Sequence, residues 1–258
     1  MSIDIKTISQ LRDQTGAGIG DCKKALEEAD GVIEKAIEIL RKKGEIKATK
    51  KADRTAKEGV VALAQEGNKI AAVVINCETD FVAINEDFIN TVQGFAQKLL
   101  TENNKEAFRS WAEETIKNEL VIKIGENIQL GNFGTISGEV VGSYLHSNRK
   151  VAGVVALSGG DAELAKDIAM QIVAMTPKYL NPETIPAEVL EKEKEIYREQ
   201  LKAEGKPEAI WDKIITGKLS KFYEDNCLVN QKFIKDEEKN IKDILGENQI
   251  IEFTRFQV

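Results

Sequence analysis

The chain has 258 residues, of which 42% are hydrophobic and 31% charged, a composition typical of a globular protein with room for two or three compact units. Its formal net charge of −7 argues against direct nucleic-acid binding, and no apolar run is long enough for a membrane span or a secretion signal. The chain has three cysteines, which are widely separated, so we expect reduced thiols in the cytoplasm. Because it has one histidine, we expect no metal site.

Residues 1–45 contain three short amphipathic segments that predict three helices. The side chains that share an apolar face are Ile5, Ile8 and Leu11 in the first helix, and Cys22, Ala25, Leu26 and Ala29 in the second. Asp21 is the predicted N-cap of the second helix, and Gly44 is predicted to end the third. A bundle this small leaves one face free for docking.

The glycine-rich run at residues 15–20 lacks the pattern of a phosphate-binding loop. A Walker loop needs Gly-Lys followed by Ser or Thr, and a dinucleotide loop needs a glycine where Asp21 stands and a strand before it. We therefore predict a tight turn between two helices. Cys22 follows this turn and is predicted to be a small buried hydrophobe rather than a nucleophile.

A basic segment follows the three helices. Its charged residues are Lys42, Lys43, Lys47, Lys50, Lys51, Arg54 and Lys57. Because alanines but few large apolar side chains separate them, we predict a basic linker over residues 46–57, with an exposed helix end as the alternative. The charge suits the steering of an acidic partner, whereas the absence of interleaved aromatics argues against stacking on bases.

The segment at residues 69–83, KIAAVVINCETDFVA, changes from an apolar strand to a polar turn that carries one aromatic residue. Asn85 is a suitable N-cap for a helix over residues 86–101, so Asp80 and Phe81 are predicted to lie on a connecting loop. Loops on a rigid scaffold often carry binding residues. The alternative is that Phe81 packs back into the core while Asp80 caps the turn.

A unit of two strands and a helix occurs twice in the chain. The first copy has strands at 60–64 and 70–75, and the second has strands at 140–141 and 151–157 with a helix at 162–174. Only the first copy carries the CETDFV insert between strand and helix, which suggests that the insert was added for function. The first copy continues with a predicted helix at 105–123 and a strand at 128–138.

The C-terminal part contains a predicted helical hairpin at residues 186–225. In its first helix Val189, Ile196 and Ala203 recur every seven residues, and Gly205-Lys206-Pro207 provides a stop and a new start. The returning apolar stripe consists of Ile210, Trp211, Ile214, Ile215, Leu219 and Phe222. We predict an antiparallel coiled coil, followed by a short helix at 241–245 and a closing strand at 249–258.

Two long stretches resemble the signature sequences of the bacterial elongation factor Ts family. They are LRDQTGAGIGDCKKAL at 11–26 and INCETDFVA at 75–83, and YLHSNR at 144–149 and IIEFTRFQV at 250–258 extend the resemblance over most of the chain. The resemblance implies an α+β fold with a ubiquitin-associated-like three-helix module at 1–45. A duplicated α/β core with antiparallel sheets is expected at 58–139 and 140–258, with the coiled-coil hairpin inserted into the second half.

The function implied by the resemblance is guanine-nucleotide exchange on elongation factor Tu. The factor would bind Tu–GDP, displace Mg²⁺ and release GDP so that GTP can bind, without a cofactor, a metal or a catalytic site of its own. The residues implied in Mg²⁺ displacement are Thr79, Asp80, Phe81 and Val82. Those implied in partner binding are Asp80, Phe81, His146, Leu11, Arg12, Gly16, Asp21 and Lys23. Both a homodimer and a Tu–Ts heterodimer are open.

Two positions depart from the family pattern. Val74 stands where the family usually has Glu, and Ile84 stands where it usually has Lys, Arg or Asn. We predict that both changes are peripheral and tune affinity for the partner.

Two other classes of function compete with exchange. One is an enzyme that uses Glu78, Asp80 and His146 as acid/base groups, or Cys77 with His146 as a nucleophilic pair, although no third orienting group or oxyanion pattern is visible. The other is a passive adaptor in which residues 1–45 bind a partner and the rest is scaffold.

Overall fold

The computed structural model describes the backbone of residues 3–258, and the side chains of all of these except residues 45, 47, 49 and 50. The fold is α+β, as predicted, with two three-stranded sheets and a two-stranded one, all antiparallel. Among the residues described, no helix is both long and apolar enough to cross a membrane.

The N-terminal part forms three helices, as the periodicity predicts: α1 (Ile5–Thr15), α2 (Ile19–Glu28) and α3 (Ile33–Lys51). Gly16 ends α1 in the left-handed conformation, with φ of 66°, and its N–H donates to the Arg12 carbonyl at 2.7 Å. The prediction of Asp21 as the N-cap of α2 is wrong, because Gly18 is the N-cap. Asp21 lies instead in the first turn, where a carboxylate interacts favourably with the helix dipole.

Helix α3 does not end at Gly44 but continues to Lys51. A Cβ atom at Gly44 would lie 2.5 Å from Ile122 Cδ1 and 2.9 Å from the Lys117 carbonyl oxygen. The glycine therefore permits close packing of α3 on the core rather than ending the helix. The basic linker predicted over 46–57 is wrong for residues 46–51, which are the end of α3. Ile46 is exposed there, whereas Ala48 packs against the core of the first sheet.

The first sheet and its helices follow α3. The elements in chain order are β1 (Glu58–Glu66), β2 (Lys69–Cys77), α4 (Asp80–Ala83), α5 (Glu86–Thr101), α6 (Lys105–Thr115), a π-helical turn (Ile116–Leu120), α7 (Val121–Ile124) and β3 (Gln129–Ser137). Strand β2 lies between β1 and β3. The predicted helix at 86–101 is confirmed, and the one predicted at 105–123 is the irregular run from α6 to α7.

The second half repeats the strand–strand–helix order and then adds a helical pair. Its elements are β4 (Val140–Leu145), β5 (Val151–Leu157), α8 (Ala162–Met175), α9 (Ala187–Ala203), α10 (Trp211–Asn226), β6 (Lys232–Phe233), β7 (Asp236–Asn240), α11 (Ile241–Leu245) and β8 (Ile250–Gln257). Strand β5 lies between β4 and β8, so the second sheet has the same central position for its second strand as the first.

The two three-stranded sheets pack face to face. Val61 and Ile70 of the first sheet lie in one buried cluster with Val154 and Phe256 of the second. The outer face of the first sheet is covered by α5 and α6, and that of the second by α8. Val74 lies between the sheets and is 0% exposed, so its prediction as a peripheral residue is wrong. It is a core residue, and a carboxylate there would lose its hydration.

Helices α9 and α10 run side by side in opposite directions. Leu201 and Ile215 are their buried apolar residues, and the Lys218 ammonium donates to Gln200 Oε1 across the pair at 2.8 Å. At the base of the pair the fully buried Gln231 donates through Nε2 to the carbonyls of Met175, at 3.3 Å, and Asp225, at 3.2 Å. This side chain therefore ties the end of α10 to the end of α8.

Candidate functional site

The polar turn after β2 is a single turn of helix. Thr79 is the N-cap of α4, with its Oγ1 accepting from the Val82 N–H at 3.5 Å, and the Ile84 N–H donates to the Asp80 carbonyl at 3.0 Å. Asn85 then caps α5 by accepting from the Phe88 N–H at 3.1 Å. The prediction of a connecting loop is therefore wrong for Asp80 and Phe81, which lie on this helical turn.

The turn presents apolar side chains to solvent. Phe81 is 79% exposed and Ile84 is 72% exposed, while Asp80 beside them is also exposed. Val82 is half-buried and Ala83 is buried, and both pack on the core beneath the first sheet. The alternative of Phe81 as a core residue is wrong. A large apolar ring held out on an ordered turn is typical of a protein-binding site.

A pair of carboxylates fastens the turn to the loop after α7. Glu126 Oε2 accepts from the N–H groups of Glu78 and Thr79 at 3.0 and 3.1 Å, and Oε1 accepts from the Thr79 hydroxyl at 2.6 Å. In return Glu78 Oε1 accepts from the Asn127 N–H at 2.6 Å and lies 3.6 Å from Arg54 Nη1. Asn127 is buried and donates through Nδ2 to the Arg54 carbonyl at 2.6 Å. No sequence pattern indicates Glu126 or Asn127, and Arg54 is predicted only as part of the basic segment.

Phe81 borders a groove that leads toward the N-terminal helices. The groove beside the ring has a volume of about 270 Å³ and is lined by Phe81, Val82, Phe88, Leu120, Lys123 and Ile124. A second groove, of about 540 Å³, shares Leu120 and Lys123 with it and reaches Gly16. A Cβ atom at Gly16 would lie 3.0 Å from Lys123 Cγ. Lys123 therefore lines both grooves, with Phe81 in the first and Gly16 in the second.

The other N-terminal residues predicted to bind a partner differ in exposure. Arg12 and Lys23 are exposed, and Asp21 is half-buried. Leu11 is 0% exposed in the core of the three helices, so its prediction as a contact residue is wrong. Its side chain supports the helices instead of meeting a partner.

His146 lies in the turn between β4 and β5 and is half-buried. Its backbone N–H donates to the Val151 carbonyl at 3.0 Å, and its imidazole ring meets the Tyr144 ring edge-on, with centroids 6.4 Å apart. In the same turn Lys150 donates to the Glu58 carboxylate. The pKa of Lys150 is raised, first by this hydrogen bond and then by the negative charges of Glu58 and Asp80. The His146 turn therefore lies within electrostatic reach of the turn that carries Asp80.

The thiol of Cys77 does not have the environment of a nucleophile. Its side chain is fully buried, and Sγ donates to the Thr79 carbonyl at 3.2 Å. Burial, together with the negative charges of Glu126 and Glu58, raises the pKa of this thiol to about 12. The alternative of a Cys77–His146 nucleophilic pair is therefore wrong. Among the described residues, no cluster of three His, Cys, Asp or Glu side chains could hold a metal ion.

Comparison with known proteins gives consistent matches along the chain. The family model described as Elongation factor TS matches residues 78–258. A protein named elongation factor Ts from Nitratiruptor sp. is 45% identical, covering 100% of this chain and 93% of its own length. The protein of the same name from Hydrogenobaculum sp. is 43% identical over 100% of this chain and 99% of its own. That from Deinococcus radiodurans is 42% identical over 98% of this chain and 99% of its own.

Proposed function

Because this chain belongs to the elongation factor Ts family of translation elongation factors, we propose that it promotes the release of GDP from elongation factor Tu. The observation that carries the proposal is the exposure of Phe81, 79% of whose surface is open to solvent on an anchored helical turn. An aromatic ring on a fixed support can enter a partner with little loss of conformational entropy.

The proposed mechanism requires no catalytic group or cofactor on this chain. A GTPase holds its nucleotide through backbone contacts to the phosphates and through Mg²⁺. We propose that Phe81 enters an apolar crevice of elongation factor Tu near the Mg²⁺ site, with the Asp80 carboxylate beside it. Thr79 and Val82 hold the turn that carries both. Displacement of Mg²⁺ then weakens the binding of GDP.

The energetic requirement of this mechanism is modest. Binding of the exchange factor and binding of GDP are linked, so weakening GDP tenfold requires about 1.4 kcal/mol of preference for the nucleotide-free partner. Burial of one large aromatic side chain contributes about 1.5–3 kcal/mol. A single well-placed ring therefore supplies enough differential binding, and GTP, once bound, favours release of the exchange factor.

We infer that three surfaces share the docking of elongation factor Tu. They are the turn at 79–82, the turn that carries His146, and the exposed N-terminal positions Arg12, Gly16 and Lys23 with Asp21.

We propose that residues 1–45 are a ubiquitin-associated-like module, that the core divides at 139/140, and that residues 186–225 form a coiled-coil arm. The factor is expected to act in the cytoplasm. Two assemblies fit the proposal: a heterodimer of one Tu and one Ts chain, and an assembly in which this chain forms a homodimer.

The test is the release of a fluorescent GDP analogue from elongation factor Tu of the same organism. The native chain is expected to accelerate release strongly, and Phe81→Ala to lose at least about tenfold of the saturating rate, since it removes most of the ring's buried area. Ile251→Ala is the matched control, because Ile251 is an exposed apolar residue on β8. No acceleration by the native chain refutes the function, and equal rates for Phe81→Ala and the control refute the role of Phe81.

A further inference from the structure

We infer that Glu126 is a positioning residue for Phe81, whose carboxylate holds the helical turn that presents the ring to the partner. The inference rests on the proposed exchange function and adds a residue that does not itself contact the partner. It predicts that loss of this carboxylate lowers the saturating rate of exchange more than it lowers the affinity for the partner.

Helix α4 needs an external support because it is only four residues long. A single helical turn fixes several backbone angles for very few hydrogen bonds, so it does not persist alone in water. Its own cap is weak, since the Thr79 hydroxyl accepts from the Val82 N–H at the long distance of 3.5 Å. The stability of the turn must therefore come from groups outside it.

Glu126 supplies that support at the N-terminal end of the turn. Its carboxylate accepts three hydrogen bonds, two from backbone N–H groups and one from the Thr79 hydroxyl. Hydrogen bonds to an ionised carboxylate are about twice as strong as those between neutral groups. The bond from the hydroxyl also orients Thr79 Oγ1, because the oxygen that gives its proton to Glu126 keeps its lone pairs for the Val82 N–H.

Glu126 itself is held in place by the backbone around it. Gly125 ends α7 with φ of 81°, a left-handed conformation that turns the chain toward the end of β2. The next residue, Asn127, donates its N–H to Glu78 Oε1 at 2.6 Å and is buried. The segments at 78–79 and 126–127 therefore exchange hydrogen bonds in both directions, and neither can shift alone.

The geometry separates this role from direct contact with a partner. Glu126 is half-buried and both of its oxygens are occupied within the chain, whereas the exposed side chains of the turn are those of Asp80 and Phe81. At the other end of the turn, Val82 and Ala83 pack on the core. Without the carboxylate the turn stays attached at one end, so the protein remains folded while the ring loses its direction.

The experiment compares Glu126→Ala, Glu126→Gln and Glu139→Ala in the GDP-release assay. Glu139 is an exposed carboxylate between β3 and β4, so its variant removes the same charge elsewhere. Glu126→Ala is expected to lower the saturating rate about tenfold, the equivalent of one charge-assisted hydrogen bond, and to change the half-saturating concentration by less than about threefold. Glu126→Gln keeps an oxygen for both backbone donors and is expected to stay within about threefold of the native rate.

A double-mutant cycle with Phe81→Ala separates positioning from general structural support. If Glu126 acts through the ring, Glu126→Ala costs less than about twofold further in the Phe81→Ala background. A full additional loss there overturns the inference. Thr79→Val, which removes one of the three donors and the long cap bond from the Val82 N–H but keeps the shape, is expected to give a loss of the same kind.

Amide hydrogen exchange in the free protein provides a readout that does not need the partner. In Glu126→Ala the amides of Glu78 and Thr79 are expected to exchange at least about tenfold faster than in Glu139→Ala, because they lose their acceptor. If the native chain does not accelerate the release of GDP from elongation factor Tu, the proposed function is refuted and the inference is refuted with it. If the native chain and Phe81→Ala behave as proposed but Glu126→Ala matches Glu139→Ala in rate, the inference alone is overturned.

Discussion

Gly44 lies where helix α3 packs against the segment at 117–122, and adding one methyl group there tests this packing. In Gly44→Ala the new Cβ would lie 2.5 Å from Ile122 Cδ1 and 2.9 Å from the Lys117 carbonyl oxygen. The isoleucine can rotate away but the backbone oxygen cannot, so we expect an overpacking cost of about 2–3 kcal/mol. Replacing glycine by alanine inside a helix stabilises the helix by about 1 kcal/mol, which offsets part of this cost. The expected net loss of unfolding free energy is about 1–2 kcal/mol.

Gly94→Ala is the matched control for this prediction. Gly94 also lies inside a helix, α5, but a Cβ atom there would meet nothing within 4 Å. We therefore expect it to gain about 0.5–1 kcal/mol from helix propensity alone. Urea unfolding followed by circular dichroism measures both variants. Equal or greater stability of Gly44→Ala relative to the native chain would show that α3 does not pack this closely on the core.

Two further predictions concern the thiols and the exposed apolar patch. Burial raises the pKa of all three cysteine thiols, to about 12 for Cys77 and about 11 for Cys227, so none should react with a thiol reagent at pH 8 until the protein unfolds. Because unfolded thiols ionise near pH 9 and the folded ones do not, stability should fall as the pH rises from about 9 toward 12; rapid labelling of the native protein would contradict this assignment. Ile84→Lys, at a 72% exposed position beside Phe81, should change the unfolding free energy by less than about 0.5 kcal/mol. The same variant should weaken binding to elongation factor Tu about fivefold, as measured by titration calorimetry, and an unchanged affinity would exclude Ile84 from the interface.

Local sequence patterns predicted most of the regular structure. The helices of the N-terminal part, the two strand–strand–helix units and the paired helices α9 and α10 all follow from apolar spacing that a single element displays by itself. The predictions are wrong mainly at positions whose environment is set by a segment distant in the chain. Gly44 resembles a helix stop, and the approach of Ile122 and of the Lys117 carbonyl explains a glycine in mid-helix. Val74 is an exception, because it lies in the continuous apolar run at 70–75, which is typical of a buried strand; its prediction as a peripheral residue rests on the departure from the family pattern and not on this run.

The candidate site could be predicted only in part, for the same reason. The change from apolar strand to polar turn indicated a special segment at 79–82, and Thr79 is a good N-cap in any sequence. The exposure of Phe81 runs against the usual burial of aromatic residues and came from the family resemblance rather than from local pattern. Glu126 lies 47 residues from Thr79 in the chain, and their contact depends on how α7 returns to the end of β2. No spacing rule connects two such positions.

Because α3 is continuous, it fixes the distance between the N-terminal helices and the segment beside Glu126. The helix begins among the N-terminal helices, passes the core at Gly44 and ends at Lys51, whose ammonium donates to the Gly125 carbonyl next to Glu126. Two groups of proposed contacts are thus held at a set separation instead of on a flexible tether. Once one group has docked, the other is presented at an effective concentration that free diffusion does not reach, and avidity follows without further contacts. If both proposed groups contact the partner, we predict that a GTPase whose matching surfaces are spaced differently engages only one of them.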